Sequence, residues 1–159
     1  TMQEVLTAAL VARDTRTRRW ASRIAIDPGW TPREVLFALA PRLQRDRAPA
    51  IRAIGLEARA LQGDRAGVEL ACFDVHASVR FRARAVLADM FTPLDYRGLA
   101  LATLAAAPER DAAIAALGVL ADLGRAEDIG VVAGYVDDPR GKVAREARRT
   151  REVLGKIAG

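Results

Sequence analysis

The chain has 159 residues, 51% of them hydrophobic and 5% aromatic, which suffices for one domain with a core and favours helices packed through small side chains. The formal charge of +5 rests almost wholly on arginine, since Lys142 and Lys156 are the lysines. A single cysteine, Cys72, excludes an intrachain disulfide, a single histidine, His76, excludes a histidine-based metal cluster, and no apolar run is long enough to span a bilayer.

Hydrophobic spacing and helix punctuation predict ten helices, over about 2–12, 15–26, 32–44, 48–61, 65–72, 76–91, 95–106, 108–121, 125–136 and 140–157. In "TPREVLFALAPRL", Thr31 reads as the N-cap, Pro32 as the first helical residue and Glu34 as the partner in a capping box. Val35, Leu36, Leu39 and Leu43 form the apolar stripe of that helix. "RAPAIRAIGLEARALQG" starts at Pro49 and stops at Gly63. "GVELACFDV" has a hint of strand, but its place in the pattern favours a short helix. "PERDAAIAALGVLADLG" runs from Pro108 to Gly124, and a shorter helix ends before Pro139. The last helix places Val143, Ala147, Leu154 and Ile157 on or near one face.

These helices fall into five pairs of about 30 residues, approximately 2–26, 32–61, 65–91, 95–121 and 125–157, in one domain covering 1–159. First helices align as "QEVLTAAL", "REVLFALA", "AGVELACF", "RGLALATL" and "EDIGVVAG". Second helices align as "RRWASRIA", "PAIRAIGLEA", "ASVRFRARAV", "DAAIAALGVL" and "GKVAREARRT". One hairpin cannot bury its own apolar face, whereas a row of stacked hairpins can. The expected fold is all-α, a right-handed alpha-alpha superhelix.

The turns and the "V-R-x-x-A" that follows them resemble the HEAT-like repeat family in its short bacterial form, most closely in "DVHASVRFRARAVL" and "DDPRGKVAREARRT". "RAPAIRAIGLEARAL" is a looser match, the fourth pair lacks the arginine, and the first lacks the Asp-Pro turn, as an atypical capping repeat would. The resemblance implies a solenoid that binds proteins or nucleic acid along the face lined by its second helices. It also implies that the arginine after the valine braces the neighbouring repeat through an aspartate of its turn. Arg52, Arg80 and Arg145 would be the braces, and Asp46, Asp74 and Asp138 their partners. Glycosylases and bilin lyases of similar fold share no motif residue by residue with this chain.

The side chains suited to chemistry are sparse. Cys72 and His76 would share a face only if one helix ran through both, and Asp74 between them suits a turn; Cys72 reads as a small buried apolar group. The pairs Glu127-Asp128 and Asp137-Asp138 fall at helix ends, where the helix dipole and capping account for them, and Asp138 reads as the cap of the last helix. No Gly-rich phosphate loop occurs. The reading is therefore no catalytic set, no metal site and no cofactor. Trp20, among Arg18, Arg19 and Arg23, has two readings: an anchor for a base or peptide, or packing between the first two pairs. Trp30 reads as a hydrophobic staple.

Charge is grouped. Arg13, Arg16, Arg18, Arg19 and Arg23 cluster, as do Arg42, Arg45, Arg47 and Arg52, then Arg80, Arg82 and Arg84. Between residues 100 and 138 seven acids face Arg110 and Arg125, which interrupts any continuous phosphate track. In the last helix Arg140, Lys142, Arg148, Arg149 and Arg151 have no evident structural duty. Candidate binding residues are Arg19, Trp20, Arg23, Arg52, Arg80, Arg84, Arg145, Arg148 and Arg149. The leading expectation is a non-catalytic protein-interaction or scaffold module with an acidic protein partner. Nucleic-acid binding through the arginines of the second helices is the alternative, and an enzyme of glycosylase or lyase type comes third. Cysteine usage and the lack of a basic-then-apolar leader fit a cytoplasmic protein that makes no use of a membrane.

Overall fold

A computed structural model describes the backbone of residues 1–159 and every side chain except those of residues 2 and 3. Among the described residues the secondary structure is helical throughout, without strands. In chain order the helices are α1 (Met2–Leu10), α2 (Thr15–Ala25), α3 (Arg33–Leu43), α4 (Pro49–Leu61), α5 (Arg65–Ala71), α6 (Ala77–Met90), α7 (Tyr96–Ala105), α8 (Arg110–Leu123), α9 (Ile129–Ala133) and α10 (Gly141–Ala158). "GVELACFDV" is helical up to Ala71 and then turns.

Three local expectations are corrected. Thr31 is not the N-cap of α3. Pro32 takes that position without a side-chain cap, and Thr31 is buried with its Oγ1 unpartnered among the described residues. The helix expected over 125–136 is a 3-10 turn at Ala126–Asp128 followed by the five residues of α9. Gly130 and Gly134 weaken helix propensity there, and the Tyr135 hydroxyl is tied to the Leu104 carbonyl. Asp138 is not the N-cap of α10 either. Arg140 holds that position, and Asp138 shapes the turn before it.

The chain divides into two compact units, Thr1–Ala71 with Phe81–Thr92, and Cys72–Arg80 with Pro93–Gly159. The division runs through α6, whose first turn belongs to the second unit.

In the first unit α1 packs on α2, α3 on α4, α2 on α4 and α4 on α5. The core is built from Leu6, Leu10, Leu36, Leu43 and Ile51, with Ala21, Ala25, Ala40 and Ala58 between them. On α2 the spacing of Ala21, Ser22 and Ala25 gives a narrow inward stripe of small residues, and Ser22 satisfies its buried hydroxyl on the Arg18 carbonyl. Such stripes let helices approach closely. At Gly55 the approach is extreme: a Cβ there would stand 2.5 Å from the backbone nitrogen of Gln44.

In the second unit α8 is the central helix, with α7 and α10 packed on it and α9 packed on α10. Its run Ala115–Leu120 is buried without interruption, as expected of a helix apolar on all sides. Leu104, Leu117, Leu120, Val132, Val143 and Leu154 fill the core around it. Each buried leucine contributes about 1.5–3 kcal/mol by leaving water. Thr150 of α10 is also buried, and its hydroxyl donates to the Leu117 carbonyl at 3.0 Å.

Candidate interaction surface

The turns before α4, α6 and α10 are built alike. In each, an aspartate Oδ1 accepts the backbone N–H two residues on: Asp46 from Ala48 at 2.9 Å, Asp74 from His76 at 2.8 Å and Asp138 from Arg140 at 2.8 Å. This is the Asx turn, in which a short carboxylate mimics a backbone carbonyl. An arginine one turn into the following helix then reaches back. Arg52 Nη1 donates to the carbonyls of Asp46 and Arg47, and Arg80 Nη1 to that of Asp74, each from six residues beyond the aspartate. Arg18 does the same on the carbonyls of Ala12 and Arg13, although no Asp-Pro precedes it.

Arg18 and Arg80 also hold a distant carboxylate. Arg18 grips both oxygens of Asp46, at 2.7 and 3.1 Å, tying the α1–α2 loop to the α3–α4 loop. Arg80, 1% exposed, grips both oxygens of Asp122 on α8, at 3.0 and 3.3 Å. Bidentate pairs of this kind fix geometry as well as adding energy. Among the described residues the brace expected of Arg145 is not found. Buried Val143 sets the register so that Ala144 occupies the equivalent position, and Arg145 is exposed. Arg140, read as having no duty, clasps Asp138 and donates from Nη1 to the Pro108 carbonyl at 2.7 Å. Sequence reasoning also missed Arg97, which holds both oxygens of buried Asp128 at 2.8 and 2.6 Å.

These clasps lower carboxylate pKa values. The hydrogen bonds from Arg97 hold Asp128 below the ordinary range in spite of burial. Burial opposes the charge on Asp46, but the bonds from Arg18 and Ala48 outweigh it. Arg140 holds Asp138 down to about 2, against an ordinary 3.8. A lowered native pKa adds stability that is fully present above the unfolded value and is lost as pH falls through the native one. The contribution of Asp138 is thus present above about pH 4 and fades toward pH 2. A carboxyl NMR titration should place its midpoint near 2, and Arg140→Ala should return it toward 3.8. An unchanged midpoint in that variant would show that Arg140 is not the cause.

The outward face of α2 carries a different set. With Ala21, Ser22 and Ala25 turned inward, Arg19, Trp20 and Arg23 point to solvent, and Trp20 is 55% exposed. Trp20 is therefore not buried between the first two helix pairs. Arg19 and Arg23 have no carboxylate within ion-pair distance among the described residues, unlike Arg18. Between α2 and α4 these two arginines border an open groove of about 350 Å³, floored by Ile26, Ala50, Ala53 and Ile54 and closed by Glu57. Glu57 accepts from Arg82 Nη2 at 2.8 Å, and the next residue to Arg82, Phe81, is 71% exposed. Trp20 lines an adjoining hollow with Asp14, Arg16, Arg19 and Arg23. Trp30 is likewise 55% exposed, so it does not act as a buried staple.

None of the remaining candidates is among the residues that line this groove. Arg52 and Arg84 are half-buried. Arg148 lies 3.8 Å from Asp137, and Arg149 donates to Glu146 at 2.8 Å. Cys72 is buried, whereas His76 is exposed with its Nδ1 2.8 Å from Ser78 Oγ. Among the described residues no His/Cys/Asp/Glu group is arranged to hold a metal ion, and no helix is long and apolar enough to cross a membrane. No family model, curated protein or solved structure matches the chain.

Proposed function

We propose that the chain is a non-catalytic interaction module, a right-handed HEAT-like α-solenoid that receives an acidic segment of a partner protein in the groove between α2 and α4. The repeated Asx turn with its returning arginine supports the solenoid, since similar clips at Asp46, Asp74 and Asp138 or at Arg18, Arg52 and Arg80 fit a repeated unit. The observation that carries the binding assignment is the apolar floor bordered by Arg19 and Arg23, which have no carboxylate within ion-pair distance among the described residues, with exposed Trp20 in the adjoining hollow that shares both arginines. A large rigid ring with an apolar floor supplies the buried centre of an interface, and the arginines supply charged contacts at its rim. The Glu57–Arg82 pair closes one end of the groove and favours a segment that follows α2.

The test uses an amphipathic helical peptide with leucines on one face and glutamates on its flanks. In a Trp30→Phe background, Trp20 fluorescence reports binding. Saturable binding should weaken about tenfold in Trp20→Ala and again in an Arg19→Glu, Arg23→Glu variant, because a central aromatic and rim charges each contribute at that scale. Equal binding by the wild type and both variants would move the site elsewhere. No fluorescence change across a panel of such peptides would reject the groove as a peptide site.

A further inference from the structure

The first unit has a second groove, on the loop edge. It runs between the α1–α2 loop and the α3–α4 loop, with a volume of about 920 Å³. Arg13, Arg42, Arg45 and Arg47 line it, all of them exposed and none with a carboxylate within ion-pair distance among the described residues. The one acid in the groove, Asp46, is already occupied: both its oxygens accept from Arg18 and one also accepts from Ala48. Five arginines against one aspartate leave four positive charges on one concave surface. The Arg18–Asp46 pair, nearly buried at its back, also fixes the two loops that carry the outer arginines. Leu10, Val11, Ala38 and Pro41 provide apolar wall between them.

We propose that this groove binds a ligand bearing closely spaced phosphates. Arginine offers a planar donor fork matched to phosphate oxygens and cannot lose its charge, so unpaired guanidiniums around a preformed hollow suit a run of phosphates better than a lone carboxylate. The two sources of that chemistry are a nucleic-acid backbone and a free polyphosphate. The site is separate from the α2–α4 groove and does not depend on peptide binding there.

A labelled single-stranded oligonucleotide, titrated against the full chain with anisotropy as readout, tests this, with inorganic tripolyphosphate as competitor. Wild-type binding should weaken steeply with added salt. Arg42→Glu with Arg45→Glu should weaken it about tenfold, whereas Arg145→Glu with Arg151→Glu, an equal charge change at exposed positions, should stay within about twofold. Competition by tripolyphosphate identifies a compact polyphosphate site; binding that resists it but keeps the variant pattern identifies an extended backbone. No binding of either probe at low salt, or equal losses in the two double variants, overturns the proposal. Thermal melts confirm folding, since all four positions are exposed. Arg19→Glu with Arg23→Glu should leave oligonucleotide binding unchanged, which separates failure here from failure of the peptide groove.

Discussion

Arg80→Ala should destabilise the protein by about 3–5 kcal/mol, the cost of removing one partner from a buried ion pair. The guanidinium is 1% exposed, and it holds both oxygens of Asp122 and the Asp74 carbonyl. It also lies flat over Gly118, where a Cβ would stand 2.6 Å from Nη1. Truncation removes two hydrogen bonds to Asp122 and one to the Asp74 carbonyl, and opens a void beside α8. For a chain of this length the melting midpoint should fall by roughly 10 °C, read by calorimetry. Arg80→Met should lose less than Arg80→Ala, because its longer side chain fills most of the void beside α8. A loss below about 1 kcal/mol in Arg80→Ala would mean that the pair behaves like a surface salt bridge.

Gly55→Ala should cost about 1–3 kcal/mol or more, although alanine is the better helix former. The added methyl would meet the Gln44 nitrogen at 2.5 Å and the Leu43 carbonyl carbon and Cβ at 2.9 Å. These are backbone atoms and a buried leucine, so the strain can be relieved only by moving α4 away from the end of α3. Gly155, on α10, has open space around its missing Cβ. Gly155→Ala should therefore be neutral or stabilising by up to about 1 kcal/mol. Equal effects at the two positions, measured by urea denaturation, would contradict the close approach at Gly55.

The all-helical character and most helix limits were readable because Pro, Gly and Asp punctuate the chain at Pro49, Gly63, Asp95 and Gly124. Propensity failed where two weak signals competed. Thr31 suited a cap, but Pro32 already has the extended backbone that the cap position needs. The arginine roles were half legible. Arg52 and Arg80 were expected to brace, and both hold their own turns. Arg18 was missed because no Asp-Pro precedes it, yet "R-x-x-A" at Arg18–Ala21, as at Arg80–Ala83, was a usable signal. Nothing local could reveal that Asp122, in the last turn of α8, would receive Arg80, since a pairing across 42 residues depends on how the helices pack. The exposure of Trp20 was undecided for the same reason: sequence places it beside arginines but does not say which side of α2 faces the core.

The arginine that closes each turn works within its own segment, reaching back six residues to a carbonyl of the same turn. A fastening so short-ranged is inherited whole when a segment is duplicated, and it asks nothing of the copy next door. An array made this way can grow or shrink by one unit without waiting for a compensating change elsewhere. The longer reach of Arg18 to Asp46 and of Arg80 to Asp122 adds a second kind of fastening, one that ties two segments together. Around Ile114 no arginine of α8 closes the turn among the described residues, and α8 is secured instead by burial along its length.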